Sequence, residues 1–379
     1  MPLALNVQKG HRPIAPAGRP FTDIIRHFTP NWFAASMGTG ILAICLGQFH
    51  QIAILRPAGE GLWIANMILF TVCTVLHAAR WIAFPGEACR IFGHDVMSMF
   101  LGCIPMGLAT IVNGFVLFGP GLIGNAAVDA AHYLWWIDVA LAVAVGVGVP
   151  FAMFTRQTHS VEQMTAVWLL PVVASEVAAV SGGLILPHLP AAAQMDVLFT
   201  SLILWALSVP LALGILVILF LRMVLHKLPH AGMAASSWLS LGPIGTGALG
   251  LFVFAQVAPV VLAAHGLAVY ADGIAGACAI AGILLWAYGL WWMATAALVT
   301  IRYLREGFAF NLGWWGYTFP VGVYALATLR LGTMFPVPMI SVFGIGLVIA
   351  LGVMWVNVAA RTVRGAVDQS LFVAPCLGR

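Results

Sequence analysis

Ten long apolar stretches, almost free of charged side chains, follow one another between Phe28 and Arg361 and leave few architectures open. Each is close to the ~20 residues that an α-helix needs to cross the hydrocarbon of a bilayer. Hydrocarbon offers no partner to a backbone N–H or C=O, so only helices or closed barrels span it. The stretches are continuous instead of alternating, which selects helices over barrel strands. Charged residues make up 7% of the 379 and hydrophobic ones 62%, whereas a soluble domain is about one quarter charged. The expected fold class is an all-α polytopic membrane protein.

The spans fall near 28–49, 62–84, 97–118, 129–152, 164–186, 197–221, 240–263, 271–299, 314–332 and 338–360. Connections this short make neighbouring helices antiparallel and leave no room for a second, soluble domain. The expected division is a cytoplasmic N-terminal tail (1–27), a ten-helix transmembrane domain (28–361) and a cytoplasmic C-terminal tail (362–379). The first segment carries Lys9, Arg12, Arg19 and Arg26 among prolines and lacks the apolar core and cleavage site of a signal peptide. With this count, all but Arg56 and Arg330 of the 16 Lys and Arg residues fall on the side of the amino terminus. Cytoplasmic loops are enriched in these residues, so both termini are expected inside, in a bacterial inner membrane. Omitting one span would invert every later loop and destroy the asymmetry.

Helix breakers recur in the odd-numbered spans, at Met37–Gly40, Ile104–Gly107, Leu170–Val172, Leu241–Gly247 and Thr318–Gly322. A proline within a helix frees a carbonyl and bends the rod, and hydrocarbon penalises the freed group. Kinks are therefore expected at Gly38, Gly40, Pro105, Gly107, Pro171, Pro243, Gly245, Gly247, Pro320 and Gly322. Such spans belong against other helices or along a water-filled path. The even-numbered spans, with Pro210 the clear exception, have fewer interior prolines and suit a lipid-facing ring. The expectation is five hairpins of related design, five inner helices surrounded by five outer ones. Any single Gly/Pro knot is equally explained by helix packing; recurrence in all five odd spans favours the axial arrangement.

Six cysteines without a CxxC pair, and histidines without an HExxH pattern, give no disulfide framework and no metal site. Neither a cofactor nor a nucleic-acid partner is expected. The tryptophan pairs Trp135-Trp136, Trp291-Trp292 and Trp314-Trp315 mark membrane interfaces or packing.

Four segments carry a resemblance: Phe28-Thr-Pro-Asn-Trp-Phe-Ala-Ala-Ser-Met-Gly-Thr-Gly-Ile-Leu-Ala43, Trp168-Leu-Leu-Pro-Val-Val173, Leu225-His-Lys-Leu-Pro229 followed by Leu241-Gly-Pro-Ile-Gly-Thr-Gly247, and Trp314-Trp-Gly-Tyr-Thr-Phe-Pro320. Together, over about 28–361, they resemble the tellurite-resistance/dicarboxylate transporter family, which includes fungal malate and sulfite transporters and plant slow anion channels. The resemblance implies a homotrimer in the lipid membrane, each subunit with its own pore lined by five helices. It also implies a gate formed by a phenylalanine on the ninth helix, here Phe319. By itself that residue would be read as packing mass.

A pore of this kind must replace an anion's lost hydration. No odd-numbered span carries an interior Lys or Arg, so freed backbone groups, half-helix dipoles and the hydroxyls of Ser36, Thr39, Ser98, Thr110, Thr246 and Thr318 are the candidate contacts. Weak ligands favour exit as well as entry. Glu176, in the fifth span, and Asp138, in the fourth, are expensive in hydrocarbon. An ionised Glu176 facing the axis would repel anions, so it either points away or carries a proton, as in a proton-coupled dicarboxylate or sulfite carrier. The expected function is passage of malate, sulfite, chloride or nitrate. A membrane-embedded enzyme, the alternative from another class, would need convergent polar groups, and none can be assembled from the sequence.

Overall fold

A computed structural model describes residues 18, 20–307 and 309–378. Lys9, Arg12, Arg19 and Arg379, which enter the charge argument, lie outside the described residues, as does most of segment 1–27. The described chain is helical throughout, with ten principal α-helices. They are α1 (Phe33–Gly47), α2 (Leu55–Ala83), α3 (Cys103–Leu117), α4 (Ala126–Thr155), α5 (Leu169–Ile185), α6 (Ala191–His226), α7 (Leu241–Ala264), α8 (Ala271–Glu306), α9 (Phe319–Met334) and α10 (Pro338–Val367).

Odd and even helices differ in what surrounds them. In α1 every residue but Leu46 is buried, and in α5 every residue but Leu184 is buried. The most apolar part of each even helix is instead only 11–33% buried, with Ile68, Val75, Ile203, Leu207, Ile280, Leu284, Ile349 and Val353 facing outward. A soluble monomer exposes contiguous apolar patches of only a few hundred Å²; five such helix faces belong in lipid. Eight of the described helices, counted with their 3-10 extensions, are long and apolar enough to cross a membrane. The chain is thus an all-helical polytopic membrane protein.

Contacts order the helices. The odd helices touch in a closed ring, α1 to α3 to α5 to α7 to α9 and back to α1, and each also packs on the even helix that follows it. Glycines set the closest approaches. A Cβ on Gly38 would stand 2.2 Å from Thr318 Oγ1, and one on Gly322 would stand 2.5 Å from Ile41, so side chains of each helix region sit directly on the glycine of the other.

The expected kinks take another form. Each odd helix starts with a 3-10 lead, respectively Pro30–Trp32, Met97–Gly102, Ala166–Trp168, Ala231–Ser240 and Leu312–Tyr317. Pro105, Pro171 and Pro243 are the third residues of α3, α5 and α7, and Pro320 is the second of α9. These prolines therefore mark the junction where a 3-10 lead becomes an α-helix, instead of bending a helix at mid-length. A missing N–H is tolerated best where the hydrogen-bond pattern already changes. Prolines within α-helices are Pro150 in α4, Pro210 in α6 and Pro259 in α7.

Outer helices also run longer than their apolar stretches. α6 and α8 each reach 36 residues, and α10 continues to Val367, past Arg361. The tryptophan pairs divide their roles. Trp135 and Trp292 are buried while Trp136 and Trp291 are exposed, since neighbours on a helix point ~100° apart. A short helix, Phe21–His27, is tied to the loop after α2 by a two-pronged pair in which Arg26 donates to Glu87 at 2.6 and 2.8 Å. The guanidinium holds the Glu87 carboxyl below its ordinary value.

Candidate functional site

Because the odd helices run parallel, all five leads end at one face, and there they enclose a cavity of about 430 Å³. The lead of every odd helix contributes to its wall: Asn31 for α1, Met97 for α3, Val167 for α5, Gly232 for α7 and Leu312 for α9. A helix N-terminus carries roughly half a positive charge from N–H groups without intrahelical acceptors. Some of these groups are capped. Thr165 Oγ1 accepts from Val167 N, Asn311 Oδ1 from Gly313 N at 2.8 Å, and His94 Nδ1 from Val96 N and Met97 N at 3.2 Å. Five dipoles still aim their positive ends at one space. Among the described residues no Asp, Glu, Lys or Arg lines it, and His230, Asn31, Asn311, Ser236 and Ser370 are its polar side chains. The result is a positive potential without a fixed charge that would trap an anion.

The cavity is a vestibule at the face where the leads meet. Its deepest wall residues are Met37, Met106, Val173, Gly242 and Pro320, all within about two turns of the helix starts. Phe319 belongs to the same wall, opens α9 and is buried. Its backbone is firmly held. Thr318 Oγ1 donates to Trp315 O at 2.7 Å, Trp315 Nε1 donates to Thr362 Oγ1 of α10 at 3.1 Å, and Gly38 lies directly against both Thr318 and Trp315. Motion at this corner is therefore left to the phenyl rotamer.

Few of the expected pore residues line the vestibule. Phe319 and Pro320 do; Gly38, Gly40, Pro105, Gly107, Pro171, Pro243, Gly245, Gly247 and Gly322 do not. Gly40 faces Thr110 and Asn66, Gly107 faces Phe70, Gly245 faces Tyr324, and Gly247 faces Leu285, all close helix contacts. The hydroxyls also divide. Thr39 accepts from Trp355 Nε1, and Ser98 accepts from Gln157 Nε2. Thr110 accepts from Asn66 and donates to Gly107 O, and Thr318 is committed to Trp315 as above. Thr39 and Thr110 thus join neighbouring helices, Ser98 ties the lead of α3 to the loop after α4, and Thr318 is bonded to the lead just before it. Ser36 and Thr246 are buried without a hydrogen-bond partner. Thr246 lies four residues beyond Gly242, so it continues the cavity-facing stripe of α7 one turn past the vestibule floor. Ser36 sits off the corresponding stripe of α1, which runs through Asn31, Ala34 and Met37.

Glu176 is fully buried with neither carboxylate oxygen hydrogen-bonded. It is turned toward Ser208 of α6, whose hydroxyl donates to Val172 O at 2.8 Å. Asp138 is likewise buried without a partner. The vestibule wall was illegible in the sequence because Met37, Met106, Val173 and Leu239 look like any membrane residues. One signal was available: Leu170, Gly242 and Phe319, each immediately before a junction proline, all line the cavity.

Comparison with known proteins agrees with this architecture. The model of the voltage-dependent anion channel family matches residues 27–363. The sulfite efflux pump SSU1 of Trichophyton rubrum is 38% identical over 356 residues, covering 92% of this chain and 93% of the pump. An uncharacterized transporter of Methanocaldococcus jannaschii is 27% identical over 352 residues, 92% of this chain and 96% of the relative. The malic acid transport protein of Schizosaccharomyces pombe is 21% identical over 359 residues, 93% of this chain and 81% of the relative. A family match over residues 27–363 and a 38% identical relative covered to 93% of its length lead to one conclusion: the chain belongs to the voltage-dependent anion channel family.

Proposed function

We propose that this protein carries small anions across a membrane along the axis of the five-helix ring, with Phe319 as the gate at the floor of the vestibule. The observation that carries this reading is the convergence of five helix N-termini on a cavity free of charged side chains among the described residues, with Phe319 in its wall. We count α1 and α9, each with the 3-10 lead before it, as two further spans that would make ten in five hairpins. We take the vestibule face as the cytoplasmic one, because among the described residues the Lys and Arg residues other than Arg56 and Arg330 lie at that end of the helices. The family resemblance supports a homotrimer with one route per subunit. The relatives named above are fungal and archaeal, and they lend no support to a bacterial origin.

Sulfite is the favoured substrate, because identity is higher to a relative named for sulfite efflux than to the one named for malic acid transport. Purified protein in liposomes should pass sulfite fastest among sulfite, malate, chloride and nitrate. Faster malate flux would reassign the substrate, and no flux of any anion would overturn the reading.

The buried, unpartnered Glu176 favours a second reading, carriage of the anion together with a proton. Ser208 of α6 lies near it, which supports reading Glu176 as beside the route instead of on it. Glu176→Gln is therefore expected to leave both flux and its pH dependence unchanged. A flattened pH profile in that variant would instead favour the proton-linked carrier.

A further inference from the structure

The segment that follows α10 folds back across the vestibule. Gln369 takes a left-handed backbone, φ 59°, and Leu371 N donates to Gly365 O, reversing the chain against the helix end. Gly365 makes the fit possible, since a Cβ there would stand 2.5 Å from Leu371. Two anchors then hold the segment. Phe372 is buried and stacks on Trp32 at 4.8 Å and 22°, and Trp32 stacks in turn on Phe28. Arg80, at the end of α2 and only 1% exposed, donates to Phe28 O at 2.7 Å and to Cys376 Sγ at 3.4 Å. Ser370 and Leu371, just before the first anchor, and Val373 and Pro375, between the two, form part of the same cavity wall that contains Phe319.

We infer that segment 368–378 is a strap that narrows the vestibule mouth, so that access to Phe319 depends on whether the strap is docked. This rests on the reading of the vestibule as the entrance to the route. Its anchoring differs from that of the helices. The ring is sealed by five interlocked helices, whereas the strap is a short segment docked through Phe372 and Cys376 among other contacts, with Ser370, Val373 and Pro375 exposed. Segments with few buried contacts open at low free-energy cost while the rest stays folded. Trp32, the docking ring, belongs to the lead of α1, whose next turns carry Met37 and Gly38 beside the Phe319 corner. Undocking therefore widens the mouth and frees the lead that braces the gate.

Cys103 provides a native reporter, because it lines the vestibule and is buried. Its modification by a negatively charged thiol reagent applied to intact liposomes, read peptide by peptide by mass spectrometry, measures access without requiring conduction. Two proteins are compared with the full chain: one ending at Val367, and Phe372→Ala, which removes the stack but keeps the backbone. Modification of Cys103 is expected to accelerate about tenfold or more in the first and by a smaller factor in the second. An unchanged rate in Phe372→Ala, and in the shortened chain if it folds, would overturn the strap. Faster labelling without any anion flux would support the strap while counting against the proposed transport.

Discussion

Phe319→Ala is expected to raise anion flux through liposomes by an order of magnitude or more, equivalent to removing at least ~1.4 kcal/mol from the barrier. The phenyl ring is part of the vestibule wall where the cavity ends, and an apolar constriction blocks ions by excluding their water. Substitution to alanine removes the ring without touching the corner that supports it. The Thr318–Trp315 bond, the Trp315–Thr362 bond and the Gly38 contact involve none of the deleted atoms. The protein should remain folded, because Phe319 borders open space and its loss enlarges a cavity instead of creating one in a packed core. Phe319→Leu should fall between wild type and alanine. Unchanged flux in folded Phe319→Ala protein would remove this residue as the gate.

The second large effect concerns charge. Leu239→Glu should lower flux by about 100-fold or more, because a carboxylate near the path opposes an anion by ~4 kcal/mol at 4 Å and an effective dielectric constant of 20. Leu239 is half-buried in the lead of α7 and lines the vestibule, so a longer polar side chain has room to project into it. Leu239→Gln is the matched neutral control and should stay within roughly threefold of wild type, as solvent-side substitutions generally do. The difference between the two isolates charge from size. Raising the salt concentration should shrink it, since a watery vestibule screens the added carboxylate. Equal flux in the Glu and Gln variants would mean that anions do not pass this wall.

Much of the fold could be read from the sequence because bilayer hydrocarbon imposes so simple a rule. Apolar length located the helices, and the stretches in which Gly and Pro cluster form helices that are more buried than the ones between them. The same breakers misled about local geometry. Whether Pro171 or Pro243 bends a helix or opens one depends on the hydrogen bonds of the preceding turn, and the 3-10 leads that decide this are held by contacts with other helices. Hydroxyls were legible only as a class. Thr39 and Thr246 look alike in sequence, yet one is engaged by Trp355, more than three hundred positions away, and the other is not engaged at all. The strap was invisible for the same reason. Phe372 against Trp32, and Cys376 against Arg80, are pairings between opposite ends of the chain that no local pattern announces. Arg80 itself was counted as an ordinary loop cation, whereas it is buried and bonded to a backbone carbonyl.

If anions travel along the ring axis past Phe319, Thr246, one turn past Gly242, is placed to report on their passage. The direct measurement is flux through Phe319→Ala carrying Thr246→Cys, with the native cysteines replaced, before and after treatment with a negatively charged thiol reagent. Passage along the axis predicts that modification abolishes the enhanced flux, and that Thr246→Cys reacts far more slowly from the vestibule face when Phe319 is intact. Complete modification of the introduced cysteine with flux undiminished would contradict it.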